Sequence, residues 1–168
     1  MNELPETING SHIFRCELPV SYIDSQNVLL HKIEKIKPNI VVSLGLAAGR
    51  KTISLETQAI NLMDSQFPDN NGVIFERRKI SENFIDTLKT SYDLQKIKDD
   101  LIEKYSFISI SNSAGTYVCN TVYYLSLLNQ DKNKYKAIFI HFPQYDVIKK
   151  EIMINSLVDI IKALISYY

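Results

Sequence analysis

Asn39-Ile40-Val41-Val42-Ser43-Leu44-Gly45-Leu46 is nearly continuous in apolar residues, and this run limits the folds open to the chain. It is too short for a typical helix, is rich in β-branched residues, and leaves no polar stripe for water. It therefore reads as a strand covered on both faces, as in a parallel sheet with helices above and below. Phe107-Ile108-Ser109-Ile110 and Ala137-Ile138-Phe139-Ile140-His141-Phe142-Pro143 repeat the buried-strand pattern. Segments of helical spacing separate them, and this alternation predicts one α/β domain over residues 1–168, three layers deep (α/β/α), with a largely parallel, mixed sheet.

Taken in order, residues 1–11 are polar and turn-rich, and residues 12–20 alternate like a strand ended by Pro19. Val28, Leu29, Ile33 and Ile36 predict a helix over 25–36, with Ser21 or Asp24 as its cap and Pro38 beyond its end. Residues 52–61 mix polar and apolar side chains and fit either an extended or a coiled segment, and 65–72 form a turn cluster. In 73–93, basic Arg77, Arg78 and Lys79 give way to a weak helical pattern through Phe84, Ile85 and Leu88. Helices are predicted over 94–105, from Val118 to a polar run at 129–134, and over 148–168.

Lys plus Arg equals Asp plus Glu at 19 each, so no overall field recruits nucleic acid or an anionic membrane. No apolar run has the length of a membrane span, and the polar start Met1-Asn2-Glu3-Leu4-Pro5-Glu6 lacks the segments of a signal peptide, so a cytoplasmic protein is expected. Cys16 and Cys119 have no metal-ligand spacing with His12, His31 or His141, so neither a metal site nor, in a reducing compartment, a structural disulfide is expected. Gly45 and Gly49 lack the lysine and hydroxyl residue that a phosphate loop requires.

The chemistry concentrates in Ser111-Asn112-Ser113-Ala114-Gly115-Thr116-Tyr117-Val118-Cys119-Asn120, which joins a strand to a helix. Gly115 suits positive φ, the hydroxyl and amide side chains suit local backbone bonds, and Cys119 falls in the first helical turn. Unpaired N–H groups and the helix dipole there favour a thiolate and offer donors to an oxyanion. A buried, inert cysteine is the competing reading. Glu56, one carboxylate among few charges, reads by itself as a solvated surface residue. His141, at a strand end beside Pro143, either faces a crevice or is structural.

Five blocks, in order, resemble pyroglutamyl peptidase type I, the pyrrolidone-carboxylate peptidases. They are Gly45-Leu46-Ala47-Ala48-Gly49-Arg50, Ile53-Ser54-Leu55-Glu56 with Ala59-Ile60-Asn61, Phe67-Pro68-Asp69-Asn70, the Ser111 to Asn120 stretch, and Phe139-Ile140-His141-Phe142-Pro143. The resemblance implies a phosphorylase/hydrolase-like fold and removal of an N-terminal pyroglutamyl residue from peptides, without metal or cofactor. It assigns Cys119 as nucleophile, His141 as base and Glu56 as orienting carboxylate. It also implies that backbone groups of Leu46 and Val118 bind the lactam and that Tyr117 forms part of the ring pocket.

The chain departs from that pattern in several places. The family's N-terminal strand and glycine- and phenylalanine-rich loop have no match, and the alignment of blocks sets Met1 inside the helix that follows that loop. Gln66 stands where the family usually carries an arginine near the reacting carbonyl. Gln144 replaces the usual continuation after the proline, and residues 73–92 lack the proline-rich segment used in subunit contacts. The family's tendency to homotetramers implies a homo-oligomer. A second function class stays open, in which a catalytically impaired relative keeps the fold and acts by binding.

Overall fold

Two layers of helices sandwich a four-stranded mixed sheet whose alternating residues build two different interiors. The computed structural model describes residues 3–82 and 85–168. In chain order the elements are β1 Thr7–Ile8, β2 Ser11–His12, α1 Tyr22–Ile36, β3 Ile40–Leu46, β4 Ile53–Glu56, β5 Gln58–Ile60, β6 Thr87–Lys89, α2 Leu94–Leu101, β7 Ile108–Ser111, α3 Val118–Asn133, β8 Lys136–Phe142 and α4 Lys150–Ser166. The main sheet runs β3-β8-β4-β7. β3 is parallel to β8 and β4 is parallel to β7, while β8 and β4 are antiparallel.

On one face Val42, Leu44, Ile53, Leu55, Ile108, Ile110, Ile138 and Ile140 meet α2 and α4 through Ile97, Leu157, Ile160 and Leu164. On the other, Val41, Ala137 and Phe139 meet α1 and α3 through Leu29, Ile33, Val118, Val122 and Tyr123. Each fully buried aliphatic side chain in these cores contributes about 1.5–3 kcal/mol.

Ser21, one of the two expected caps, starts α1: its hydroxyl accepts from the Asp24 amide at 3.2 Å. Lys37 ends the helix in the left-handed region at φ 50°, just before Pro38. α3 ends within the polar run, as expected, and that run forms its last turn. Asn129 and Asn133 side chains donate to the Leu125 and Asn129 carbonyls, both at 2.9 Å, and the helix stops at Lys134, φ 56°.

Other expectations are corrected. The strand over 12–20 reduces to Ser11–His12, paired with Thr7–Ile8, because among the described residues no neighbouring strand pairs with the rest of the run. Strand-like composition without a partner does not make a strand. β3 contacts both cores, as its apolar continuity requires, but lies at the edge of the sheet. Within 73–93, Thr87–Lys89 is extended, because Leu88 and its neighbours pair antiparallel with β5. Phe84 and Met1, which carry other expectations, lie outside the described residues. Among the described residues no helix is long and apolar enough to cross a membrane.

Candidate active site

The loop from β7 to α3 folds as its residues dictate. Ser111 Oγ accepts from the Ser113 amide at 3.3 Å, Ser113 Oγ accepts from the Gly115 amide at 3.2 Å, and Gly115 adopts φ 80°. Tyr117 is the N-cap of α3, which puts Cys119 at the second helical position. The first amide used inside the helix is that of Asn120, bonded to the Tyr117 carbonyl at 3.0 Å. Helix geometry therefore leaves the N–H groups of Val118 and Cys119 without an intrahelical acceptor.

Sheet register brings the other two residues together. Glu56 lies opposite Phe139, and His141 lies opposite both Ser54 of β4 and Gly45 of β3. Glu56 and His141 are thus diagonal neighbours on one sheet face, within reach of long side chains. His141 Nδ1 is 2.7 Å from Glu56 Oε1. An ionised carboxylate only accepts, so Nδ1 carries the hydrogen and Nε2 is left as the basic nitrogen. The Phe139 ring packs 4.7 Å from the His141 ring, and Tyr123 of α3 donates its hydroxyl to the Glu56 carbonyl at 2.7 Å.

A Cβ on Gly45 would lie 3.0 Å from Cys119 Sγ and 2.9 Å from the Phe139 ring. The sulfur therefore faces the Gly45 backbone, on the strand beside His141. Glu56, 0% exposed, sits in a strand whose every residue is buried, which corrects its reading as a solvated surface glutamate. The interior position of β4, between β8 and β7, is the reason.

Cys119 also corrects an expectation. Burial pushes its thiol up to about 11, and the Glu56 charge adds to the rise. Its own backbone N–H and the Arg50 charge pull the other way without matching that rise. Desolvation outweighs the helix end here, so the resting sulfur is a protonated thiol that needs a base.

The remaining expected residues are Leu46, Gln66, Tyr117 and Val118. Leu46, at the end of β3, is 66% exposed, and Gln66 is exposed beside Phe67, itself 75% exposed. Tyr117 donates its hydroxyl to the Pro68 carbonyl at 2.9 Å and packs edge-on against Tyr22, tying the Gln66 loop to the cysteine loop. Buried Asp69 holds that loop from below, accepting from the Tyr22, Asn71 and Val73 amides, each at 2.9 Å. Val118 is buried.

A family model described as Pyroglutamyl peptidase matches residues 1–163. The chain belongs to the pyroglutamyl peptidase family. The pyrrolidone-carboxylate peptidase of Thermococcus onnurineus is 37% identical over 145 residues, which is 85% of this chain and 72% of the relative. That of Thermosipho africanus is 35% identical over 170 residues, covering 98% and 83%. The solved pyrrolidone carboxyl peptidase of Thermococcus litoralis superposes with a TM-score of 0.89 at 30% identity, covering 96% of this chain and 81% of that one.

Two residues enter the site of this pyroglutamyl peptidase family member unannounced. Arg50, read from sequence only as the end of a small-residue turn, places Nη1 2.6 Å from Glu56 Oε1. Its signal was being a cation next to Gly49 in the short loop between β3 and β4, shared only with Lys51. Asn120, 0% exposed, accepts from the Ile60 amide at 3.0 Å and donates to the Ile60 and Leu62 carbonyls at 2.8 and 2.9 Å. It thereby locks the first turn of α3 to the segment after Glu56. A polar residue directly after the cysteine was the available sign.

Proposed function

We infer that this chain is a cysteine peptidase that removes an N-terminal pyroglutamyl residue from peptides. The observation that carries the reading is the buried 2.7 Å bond from His141 Nδ1 to Glu56, which makes Nε2 the basic nitrogen on the sheet face that Cys119 covers. In this reading His141 takes the Cys119 proton as the sulfur attacks the carbonyl between the lactam ring and the next residue. The C–N bond then breaks, and the leaving amine receives that proton. Water, activated by His141, hydrolyses the thioester, releases pyroglutamate and restores the thiol.

Glu56 fixes the imidazole tautomer and offsets its charge when protonated. The unused amides at the start of α3 are the oxyanion donors, each worth about 3 kcal/mol in sites of this kind. Backbone groups of Leu46 and Val118 bind the lactam, with Tyr117 against the ring. Gln66 contributes a neutral amide donor near the carbonyl. A protonated resting thiol supports a general-base route over a standing ion pair, so substrate arrival triggers deprotonation.

The test is release of aminomethylcoumarin from pyroglutamyl-aminomethylcoumarin. The folded chain is expected to release it, and Cys119→Ser, with an unchanged circular dichroism spectrum, is expected to release none. Absence of turnover by the folded unsubstituted chain overturns the reading.

A further inference from the structure

The Glu56 carboxylate carries two partners on one oxygen. Arg50 Nη1 lies 2.6 Å and His141 Nδ1 2.7 Å from Oε1, while buried Oε2 has no hydrogen-bond partner among the described residues. Arg50 uses its other nitrogen, Nη2, to donate to the Ser113 carbonyl at 2.8 Å, in the loop that delivers Cys119. One guanidinium therefore joins the end of β4 to the cysteine loop. Its side chain is only 25% exposed, so water screens this pair far less than a surface pair.

We propose that Arg50 is a positioning residue for the reaction: it aims the Glu56 carboxylate at His141, balances its charge, and ties it to the loop that carries Cys119. This deepens the peptidase reading and rests on it. The titratable groups around the cluster are Glu56 from β4, His141 from β8, Cys119 and Tyr123 from α3, and Arg50 from the turn after β3. Without Arg50 the buried carboxylate would act on its neighbours uncompensated. It would hold a proton on the imidazole and oppose the thiolate, and both effects act against catalysis in the same direction.

The test uses Arg50→Gln and Arg50→Lys in a Cys16→Ser background, where Cys119 is the remaining thiol. Two readouts are followed against pH: iodoacetamide alkylation of Cys119, and kcat/KM on pyroglutamyl-aminomethylcoumarin. Arg50→Gln is expected to slow alkylation at a given pH roughly tenfold and to move the acid limb of kcat/KM up by about one pH unit. Arg50→Lys, which keeps the charge and loses the fork to Ser113, should restore the limb and most of the alkylation rate while kcat stays reduced.

The sign separates charge from scaffolding. A loop merely loosened by the substitution would expose the sulfur and speed alkylation. Faster or unchanged alkylation in Arg50→Gln therefore overturns the proposal, as does an Arg50→Lys variant that behaves like Arg50→Gln. Alkylation needs no turnover, so an inactive parent whose alkylation still slows on Arg50→Gln rejects the peptidase reading while keeping the electrostatic role of Arg50.

Discussion

The two faces of the same four strands differ in what they bury. β4 reads Ile53-Ser54-Leu55-Glu56 and β7 reads Ile108-Ser109-Ile110-Ser111, so each strand sends aliphatic side chains one way and polar ones the other. On the α2/α4 side the result is a continuous hydrocarbon core. On the α1/α3 side, Ser43, Ser54, Glu56 and His141 are each less than 10% exposed, although alternation of this kind usually marks a wet face. Covering a polar face costs free energy unless every group finds a partner. Here Glu56 and His141 pair with each other, Arg50 joins Glu56 and Ser54 reaches Ser109 of β7, while Glu56 Oε2 keeps no hydrogen-bond partner among the described residues. One face thus supplies stability, and the other spends some of it to hold charge away from water.

Adjacent residues of β4 offer the sharpest way to break this contrast. Glu56→Gln should lower kcat/KM by roughly 10³- to 10⁴-fold, because an amide no longer fixes the imidazole tautomer or offsets its charge. Its side-chain volume is nearly unchanged, so urea unfolding should move less than for Leu55→Ala. Leu55→Ala opens a cavity in the hydrocarbon core, where Leu55 is 0% exposed. It should cost about 2–5 kcal/mol of stability and leave turnover per folded molecule close to the parent's. If the alanine variant loses turnover as severely as the glutamine variant, the two faces are not separate in function.

Legibility in the sequence follows the same division. The aliphatic face was readable, since runs such as Ile138 to Ile140 and the spacing of Leu157, Ile160 and Leu164 report burial directly. The Cys119 turn was readable from its glycine and hydroxyls. Glu56 was not readable without family resemblance, because its burial depends on β8 and β7 flanking β4, and those pairings join distant parts of the chain. Thr87–Lys89 was missed for the same reason: its extended form comes from β5, not from its own propensity. The segment 12–20 erred in the opposite direction: it has a strand's alternation, but among the described residues only His12 lies in a paired strand. The thiol expectation failed because dipole and burial act in opposite senses, and the sequence gives no measure of burial.

Gly45 tests how tightly the polar face is packed. A methyl group added there meets the Phe139 ring at 2.9 Å and Cys119 Sγ at 3.0 Å, and both are held, the first by the sheet and the second by the first turn of α3. Gly45→Ala should therefore cost about 1–3 kcal/mol, as overpacking does. It should also displace the sulfur from the His141 strand, cutting kcat at least tenfold with a smaller change in KM. A fully active Gly45→Ala variant would mean that the sulfur has room to move.

The smallest effect is expected where ion pairing occurs outside both faces. Asp159 of α4 lies 2.6 Å from Lys104 Nζ and 2.9 Å from Lys162 Nζ, and it accepts from the Tyr105 hydroxyl at 2.9 Å. Lys104, then Lys162, hold its carboxyl down to about 2, against the opposing effect of burial. Both lysines are about half exposed or more, so solvent screens the pairs, and Asp159→Asn should cost less than about 1 kcal/mol. A folded-state value below the unfolded one, near 3.9, means that the contribution is fully present above about pH 5. It is lost as pH falls through 4 toward 2, so the urea midpoints of parent and Asp159→Asn should converge over that range and should also approach each other in molar salt. The shortest ion-pair distance, 2.6 Å, equals that of the Arg50–Glu56 pair. What separates them is water, and a salt-insensitive loss at Asp159 would show that this outer cluster is as dry as the active-site face.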